Sequence, residues 1–322
     1  ETIFLQLKVK DGKILVPGGL EYRVLALPDH RVLSLSVLKK LEKLVWGGAT
    51  VLGDKPEKQV SLVGGPDGKK TFDELSDKIW GNETSGTGEK EYGRGKVAWG
   101  IPAREYLLKK QIPADFDVLE NDSKTDFDYI HYTIGESDVY YVSNQTRGRQ
   151  KIHARFRVSG KQPELWDALT GEIQQARAFT RADGLTTIPL TLEPYGAVMV
   201  IFSRKIPVEK QGTVQRNYSD FETLAEISGA WTVSFDPEWG GPASVVFSEL
   251  MDWSQHPEEG IRYYSGAAVY KKGFTWESEP GEAETYFLRL GSVKDVGIAE
   301  VKINGTDRGI LWTPPFRVEI TG

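Results

Sequence analysis

Short apolar runs alternate with helix-type patterns over residues 1–118. Residues 24–27 form an apolar run that Pro28 ends, which predicts a buried strand. A helix is expected next, capped by Ser34 or Ser36 and stopped at Gly47-Gly48. Its apolar positions recur at helical spacing: Val37, Leu38, Leu41, Leu44 and Val45. Alternating strands and helices predict βαβ units around a parallel sheet.

Two further strands are predicted in this region, at residues 49–53 and 96–99. A second helix is expected between them. Thr71 and Glu74 have the spacing of a capping box, so we predict that this helix begins at Thr71 and ends near Trp80.

The pattern changes to short β-rich runs over residues 119–204. These runs recur about every 10 residues and are separated by turn clusters such as residues 182–184, which predicts an antiparallel β-sandwich. Residues 205–220 are polar and are predicted to be a linker. From residue 221 to residue 322 the pattern is again all-β, with a hairpin turn predicted at Asn304-Gly305.

Both ends of the pattern look interrupted. Residues 2–15 resemble two strands around an Asp11-Gly12 turn, whereas an open α/β fold should have another strand and helix ahead of residue 24. Residues 317–320 resemble a strand as the sequence ends. We therefore expect a fragment of a larger protein, with a truncated last domain.

Charge and composition exclude several partners. The net charge of −6 argues against nucleic acid, which attracts clustered lysine and arginine. No run of about 18 apolar residues is present, so no membrane partner is expected. The absence of cysteine excludes disulfides and thiolate metal sites and is compatible with an oxidising compartment.

Motifs for catalysis are missing. There is no Gly-x-Ser-x-Gly or His-Glu-x-x-His sequence, and the four histidines have no ligand-like spacing. Two acidic pairs, Asp126 with Asp128 and Glu136 with Asp138, could approach a sugar or Ca²⁺. We favour the interpretation that they are solvated turn and strand-end residues. No catalytic residue is predicted, and the metal-site residues are unknown.

Aromatic residues supply the candidate binding site. The chain has 9 Trp, 13 Tyr and 13 Phe, which either stack on sugar rings or fill β-sheet cores. Trp253, Arg262, Tyr263 and Trp312 are candidates for a stacking platform with a charged donor, although Trp253 and Trp312 could instead plug the ends of a sandwich. For Trp312 packing is favoured, because Leu311 and two prolines flank it. Trp239, beside two glycines, is predicted to be exposed.

Several segments resemble one family of glycoside hydrolases. Residues 261–270 and 301–316 resemble the galactose-binding-like jelly roll of these enzymes. More narrowly, the chain resembles the C-terminal region of the α-L-rhamnosidases of glycoside hydrolase family 106. Residues 138–145 and 164–171 fit that family, and residues 22–28 with 48–51 are similar to its flavodoxin-like unit.

The resemblance implies a mixed, mostly β fold. It comprises a partial flavodoxin-like α/β domain (1–118), a β-sandwich (119–204), the linker (205–220) and a galactose-binding-like jelly roll (221–322). In that family the acid and base carboxylates and a Ca²⁺ site belong to an upstream (β/α)₈ barrel, and nothing here offers eight βα repeats. The resemblance further implies secretion or a bacterial periplasmic location. No cofactor is required, and Ca²⁺ remains compatible with it.

Three hypotheses for function remain open at this point. The first is a non-catalytic accessory fragment that binds a plant or pectin-type glycan and partners an upstream catalytic barrel. The second is a set of purely structural domains with no ligand, which an exposed apolar face on the first domain would favour. The third is a free-standing glycosidase.

Overall fold

The computed structural model describes residues 2–60, 64–82, 84–119, 126–219, 221–276, 285–291, 293 and 297–321. The chain divides into two compact units, Glu1–Ala114 and Asp115–Gly322. The first combines helices with a parallel sheet, and the second is mostly β. The structure is therefore a mixed, mostly β fold, as the sequence predicted.

The first unit contains helices and short strands in alternation. Its helices are α1 (Thr2–Gln6), α2 (Leu35–Gly47), α3 (Gly65–Trp80) and α4 (Ala103–Lys109). Its strands are β1 (Lys8–Lys10), β2 (Lys13–Leu15), β3 (Glu21–Tyr22), β4 (Val24–Ala26), β5 (Val32–Leu33), β6 (Thr50–Leu52), β7 (Lys58–Gln59), β8 (Gly88–Tyr92) and β9 (Gly95–Trp99).

A four-stranded sheet in the order β4-β6-β9-β8 forms the centre of this unit. Strands β4, β6 and β9 run parallel, and β8 joins the edge antiparallel to β9. The predicted β1–β2 hairpin also forms. Helix α2 covers the sheet with the apolar positions expected from the sequence, and the Ser34 side chain caps it by accepting the Val37 N–H at 3.2 Å.

Helix α3 begins earlier than the capping-box pattern predicts. It starts at Gly65, with Pro66 in its first turn and Gly64 in the left-handed region at φ 87°. Thr71 therefore lies inside the helix, where its hydroxyl donates to the Asp67 carbonyl at 2.8 Å. The prediction of a start at Thr71 was wrong, although the end at Trp80 was right.

Strands make up almost all of the regular secondary structure described in the second unit. Its strands are β10 (Phe116–Leu119), β11 (Phe127–Ile134), β12 (Ser137–Asn144), β13 (Gln150–Phe156), β14 (Lys161–Trp166), β15 (Ile173–Gln175), β16 (Thr180–Ala182), β17 (Leu185–Leu192), β18 (Ala197–Lys205), β19 (Trp231–Ser234), β20 (Val245–Phe247), β21 (Val269–Lys271), β22 (Phe287–Arg289), β23 (Ala299–Ile303), β24 (Thr306–Leu311) and β25 (Arg317–Glu319). One α-helix, α5 (Glu259–Arg262), and 3₁₀ turns at Pro237–Trp239 and Trp253–Gln255 are also present.

Strands β10 to β18 form two sheets that share one hydrophobic core. One sheet has the order β10-β13-β17-β16 and the other β11-β12-β18-β14-β15. Tyr140, Leu165 and Phe202 of the second sheet meet Phe156 and Ile188 of the first. Burial alternates residue by residue along β17, as expected for a strand with one face in a core.

The edges of this β-sandwich differ from the predicted boundaries. Strand β10 pairs with β13, so residues from Asp115 onward belong to the second unit rather than to the first domain. The segment predicted as a linker also pairs with the sandwich: the Gly212 N–H donates to the Phe179 carbonyl at 2.8 Å, and Asn217 accepts the Ala178 N–H at 2.7 Å. These hydrogen bonds fasten residues 212–217 to the sandwich.

The remaining described residues of the second unit form three small sheets: β20-β19-β21, β22-β25 and β23-β24. The predicted hairpin turn joins β23 to β24, with positive φ at both Asn304 and Gly305. A compact core contains Val233, Phe235, Phe247, Ile261 and Tyr264. This core supports the surface described next.

Candidate functional site

Trp253 and its aromatic neighbours form the framework of the candidate site. The Trp253 ring meets Phe235 edge-on with centroids 5.6 Å apart, and Tyr264 at 6.2 Å. Phe235 and Tyr264 also contact each other edge-on at 5.0 Å. Trp253 is half-buried against this core, so part of its side chain packs the domain.

Trp239 lies on a short turn that projects from the framework. The Asp236 side chain accepts the Glu238 N–H at 2.9 Å, and Gly240, at φ 86°, closes the 3₁₀ turn that contains Trp239. The Asp236 N–H in turn donates to the Tyr264 hydroxyl at 3.3 Å. Trp239 is 72% exposed, so a rigidly held turn presents its ring to solvent.

Arg262 and Tyr263 lie at the end of helix α5. The Arg262 side chain donates to the Pro257 carbonyl at 3.2 Å, and its guanidinium lies 5.2 Å from the centre of the Tyr263 ring. Tyr263 is 73% exposed. A fixed cation therefore lies beside an aromatic ring that solvent can reach.

The two exposed aromatic residues come from adjoining segments. A Cβ placed on Gly260 of helix α5 would lie 3.1 Å from the Gly240 carbonyl oxygen, so the turn that follows Trp239 abuts the helix that leads to Tyr263. Trp239, Arg262 and Tyr263 are called the aromatic surface below.

Trp312 is placed elsewhere. It follows β24, which pairs with β23 rather than with the sheet beneath Trp253. At 64% exposure it does not have the packed environment that its flanking prolines suggested. Among the five predicted binding residues, Trp239, Arg262 and Tyr263 therefore lie on adjoining segments, Trp253 packs against the core, and Trp312 follows a separate hairpin.

Comparison with known proteins identifies the family. The α-L-rhamnosidase model of glycoside hydrolase family 106 matches residues 1–181, more than half of the chain. The chain belongs to this family. It is also 37% identical over 195 residues to a putative beta-glucuronidase from Formosa agariphila, a match that covers 60% of this chain and 16% of that protein.

A solved rhamnosidase from Novosphingobium sp. PP1Y has the same fold. It superimposes on 97% of this chain with a TM-score of 0.79 and 31% sequence identity. The chain spans 29% of that rhamnosidase, and thus less than a third of either relative. These comparisons establish the family and the fold of the chain.

One of the two candidate acidic pairs of this family member forms ion pairs with lysines, and the other is exposed. Asp138 accepts from Lys161 at 2.7 Å and lies 3.3 Å from His131 Nε2. Glu136 pairs with Lys205 at 2.7 Å. Asp128 is exposed on strand β11, after the exposed Asp126. Lysine partners on Glu136 and Asp138 favour a structural role for that pair.

A polar cluster that the sequence analysis missed lies at one end of the sandwich. Asp115 lies 3.0 Å from His131 Nδ1 and accepts from Tyr140 at 3.1 Å and Arg157 at 3.2 Å. The rings of His131 and Tyr140 stack with centroids 4.0 Å apart. Its members come from two strands and two loop positions that are far apart in the sequence, so no spacing in the sequence predicts it. All the side chains found around Asp115 have partners within the cluster, which is consistent with structure rather than catalysis.

The described residues contain no candidate site for Ca²⁺ or another metal ion. In this part of the chain, no group of three or more His, Asp or Glu side chains lies close enough together to hold a metal ion. Among the same residues, no helix is both long enough and apolar enough to span a membrane.

Proposed function

We propose that this chain is a carbohydrate-binding accessory region of an α-L-rhamnosidase-like glycoside hydrolase and has no catalytic pair of its own. The observation that carries the proposal is the aromatic surface: two highly exposed rings, Trp239 and Tyr263, held on adjoining segments. Exposed aromatic planes stack on the apolar C–H faces of sugar rings. Family membership supports a sugar as the ligand.

The way in which the rings are held favours binding. The Asp236 cap holds the backbone of the turn that carries Trp239, and the Arg262 guanidinium lies against the Tyr263 ring, so the two segments need little rearrangement when a sugar docks. Arg262 also brings a cationic hydrogen-bond donor beside the rings. A plant or pectin-type glycan that contains rhamnose and acidic sugars fits this combination of stacking planes and positive charge. Such a substrate is extracellular, so we propose secretion or export to a bacterial periplasm.

Affinity electrophoresis of the 322-residue chain through gels that contain rhamnogalacturonan or polygalacturonate tests the proposal. We expect the chain to be retarded, and Trp239→Ala or Tyr263→Ala to lower the association constant at least about 10-fold, since stacked aromatic residues dominate such contacts. Trp46→Ala is the matched control, because Trp46 is an exposed tryptophan of the other unit. Unchanged retardation in both aromatic variants would contradict the proposal, as would no retardation of the parent chain.

A catalytic role is the alternative to be measured. We expect the chain to release no 4-nitrophenol from an aryl α-L-rhamnoside or an aryl β-glucuronide, because the lysine-paired acids Glu136 and Asp138 form no free carboxylate pair. Hydrolysis that co-purifies with the chain and is lost in Asp138→Asn would establish a free-standing glycosidase instead.

A further inference from the structure

A row of apolar side chains crosses the outer face of the five-stranded sheet, the face that points away from the sandwich core. Strand registers place one residue from each strand in a single row: Ile130, Tyr141, Met199, Trp166 and Ile173. Residues directly opposite each other in antiparallel strands point to the same side. The alternate positions, such as Tyr140 and Val200, fill the core. The row therefore crosses the sheet on the opposite face.

Neighbouring positions extend this apolar row, and together they are called the outer face. In the next row, two residues along the strands, Tyr132 is paired with Val139 and Val139 with Ile201, which is 8% exposed. This row ends in the polar residues Glu164 and Gln175. Exposure is high on the two edge strands, β11 and β15: 51% for Ile130, 60% for Tyr132, 67% for Ile134 and 56% for Ile173. Exposed apolar patches of a few hundred Å² on a folded domain are often interaction surfaces.

The side chains of the outer face favour a protein over a glycan. Three of the four most exposed members are isoleucines, which offer sugars neither a ring plane nor a hydrogen bond. The indole N–H of Trp166 already donates to the Glu164 carboxylate at 3.1 Å. A sugar needs hydrogen-bonding partners for its hydroxyls, whereas an apolar protein surface does not.

The size of the outer face fits a tethered partner. The five strands span four inter-strand spacings of about 4.8 Å, and the face extends about 14–17 Å along the strands. The product of these two lengths is an area of roughly 300 Å². A stable complex of free proteins buries about 800 Å² on each partner. Interfaces between domains of one chain begin near 600 Å² in total, or about 300 Å² per side. Most of the solved rhamnosidase lies outside the part that superimposes on this chain.

We propose that the outer face is the docking surface for another domain of the same rhamnosidase polypeptide. The partner presents a complementary apolar surface and is held by its covalent connection, so a small interface suffices. This assignment does not depend on glycan binding by the aromatic surface. The exposed apolar face lies on the β-sandwich, whereas the hypothesis of purely structural domains would have been favoured by such a face on the first domain.

Hydroxyl-radical footprinting of two intact proteins tests this assignment. In the 322-residue chain, the peptides that carry Tyr132 and Tyr141 should oxidise at rates close to their intrinsic reactivity. In the Novosphingobium rhamnosidase, the aligned outer-face positions should be protected at least about 5-fold more, since interface cores exclude water. Equal protection factors in the two proteins would overturn the proposal.

Two variants distinguish domain docking from the other possible ligands of the outer face, which are a second copy of the chain and a glycan. The first is a double variant, Ile130→Ser with Ile173→Ser. Both side chains are exposed, so the fold should persist, and Ile310→Ser on strand β24 is the matched control. We expect the parent chain to sediment as a monomer at 100 µM, about the upper range for weak association. A dimer that only the double variant dissolves would assign the face to a second copy. Polysaccharide retardation lost in Tyr141→Ala would assign it to a glycan. Either result would overturn domain docking.

Discussion

Tyr140 donates its phenolic hydrogen to Asp115 Oδ1 across 3.1 Å from a ring that is fully buried in the sandwich. Burial raises the pKa of Tyr140 above its usual range, and the negative charge of Asp115 raises it further. The hydroxyl therefore remains protonated and remains a donor. This bond connects strand β12 to the residue just before strand β10, in opposite sheets of the sandwich.

Tyr140→Phe should destabilise the second unit by about 1.5–3 kcal/mol, the usual contribution of a hydrogen bond to a charged acceptor. The ring packing against Phe156 and Phe202 is kept, so the loss reports the hydroxyl alone. Urea unfolding followed by far-UV circular dichroism measures it. Tyr141→Phe, whose side chain lies on the outer face, is the control and should change stability by less than about 0.5 kcal/mol. A Tyr140→Phe variant as stable as the parent would show that the bond contributes nothing.

The polar cluster around Asp115 illustrates what sequence patterns leave out. Periodicity places Tyr140 on the inner face of a strand, but it does not pair that strand with a loop 25 residues away. Trp312 shows a related limit. Its flanking prolines suggested packing, yet exposure depends on what lies across from it in space. Local signals did better: Ser34 caps helix α2, and Asn304-Gly305 forms its hairpin.

The sequence contains one sign of the outer face, but it does not identify which side of strand β11 is exposed. Along β11 the inward positions Tyr129 and His131 alternate with the outward Ile130 and Tyr132, so apolar or aromatic side chains occur on both sides. A strand with this pattern is typical of a sheet covered on both faces. The sequence alone does not show which side faces the core, because that depends on pairing with β12 and β18.

Glu42 should make the stability of the first unit sensitive to acid. Its carboxylate accepts from Lys78 and Tyr92, each at 2.8 Å, and the Lys78 hydrogen bond is the main cause that holds the pKa of Glu42 below its usual value of 4.5. A pKa that is lower in the folded state adds stability above pH 4.5, and this stability is lost as pH falls through the lowered value.

Glu42→Gln should remove that part of the acid dependence. Solvent screening limits the effect to at most about 1 kcal/mol, and high salt should reduce it. Thermal unfolding of the parent and the variant at pH 7 and at successive steps below pH 4.5 checks this, and the two curves should converge in acid. Glu74→Gln is the control, because Glu74 lies 3.9 Å from Lys70 on an exposed helix face. Parallel curves for Glu42→Gln and the parent would contradict the prediction.

Trp253 and Trp239 should respond to truncation in opposite ways, because the first packs the framework and the second faces solvent. Trp253→Ala removes edge contacts with Phe235 and Tyr264 and should cost about 2 kcal/mol, below the range for fully buried aromatic residues. Trp239→Ala should change stability by less than about 0.5 kcal/mol. Calorimetric unfolding gives both values. If Trp253→Ala weakened glycan retardation without lowering stability, Trp253 would itself contact the sugar, and the division between framework and aromatic surface would be wrong.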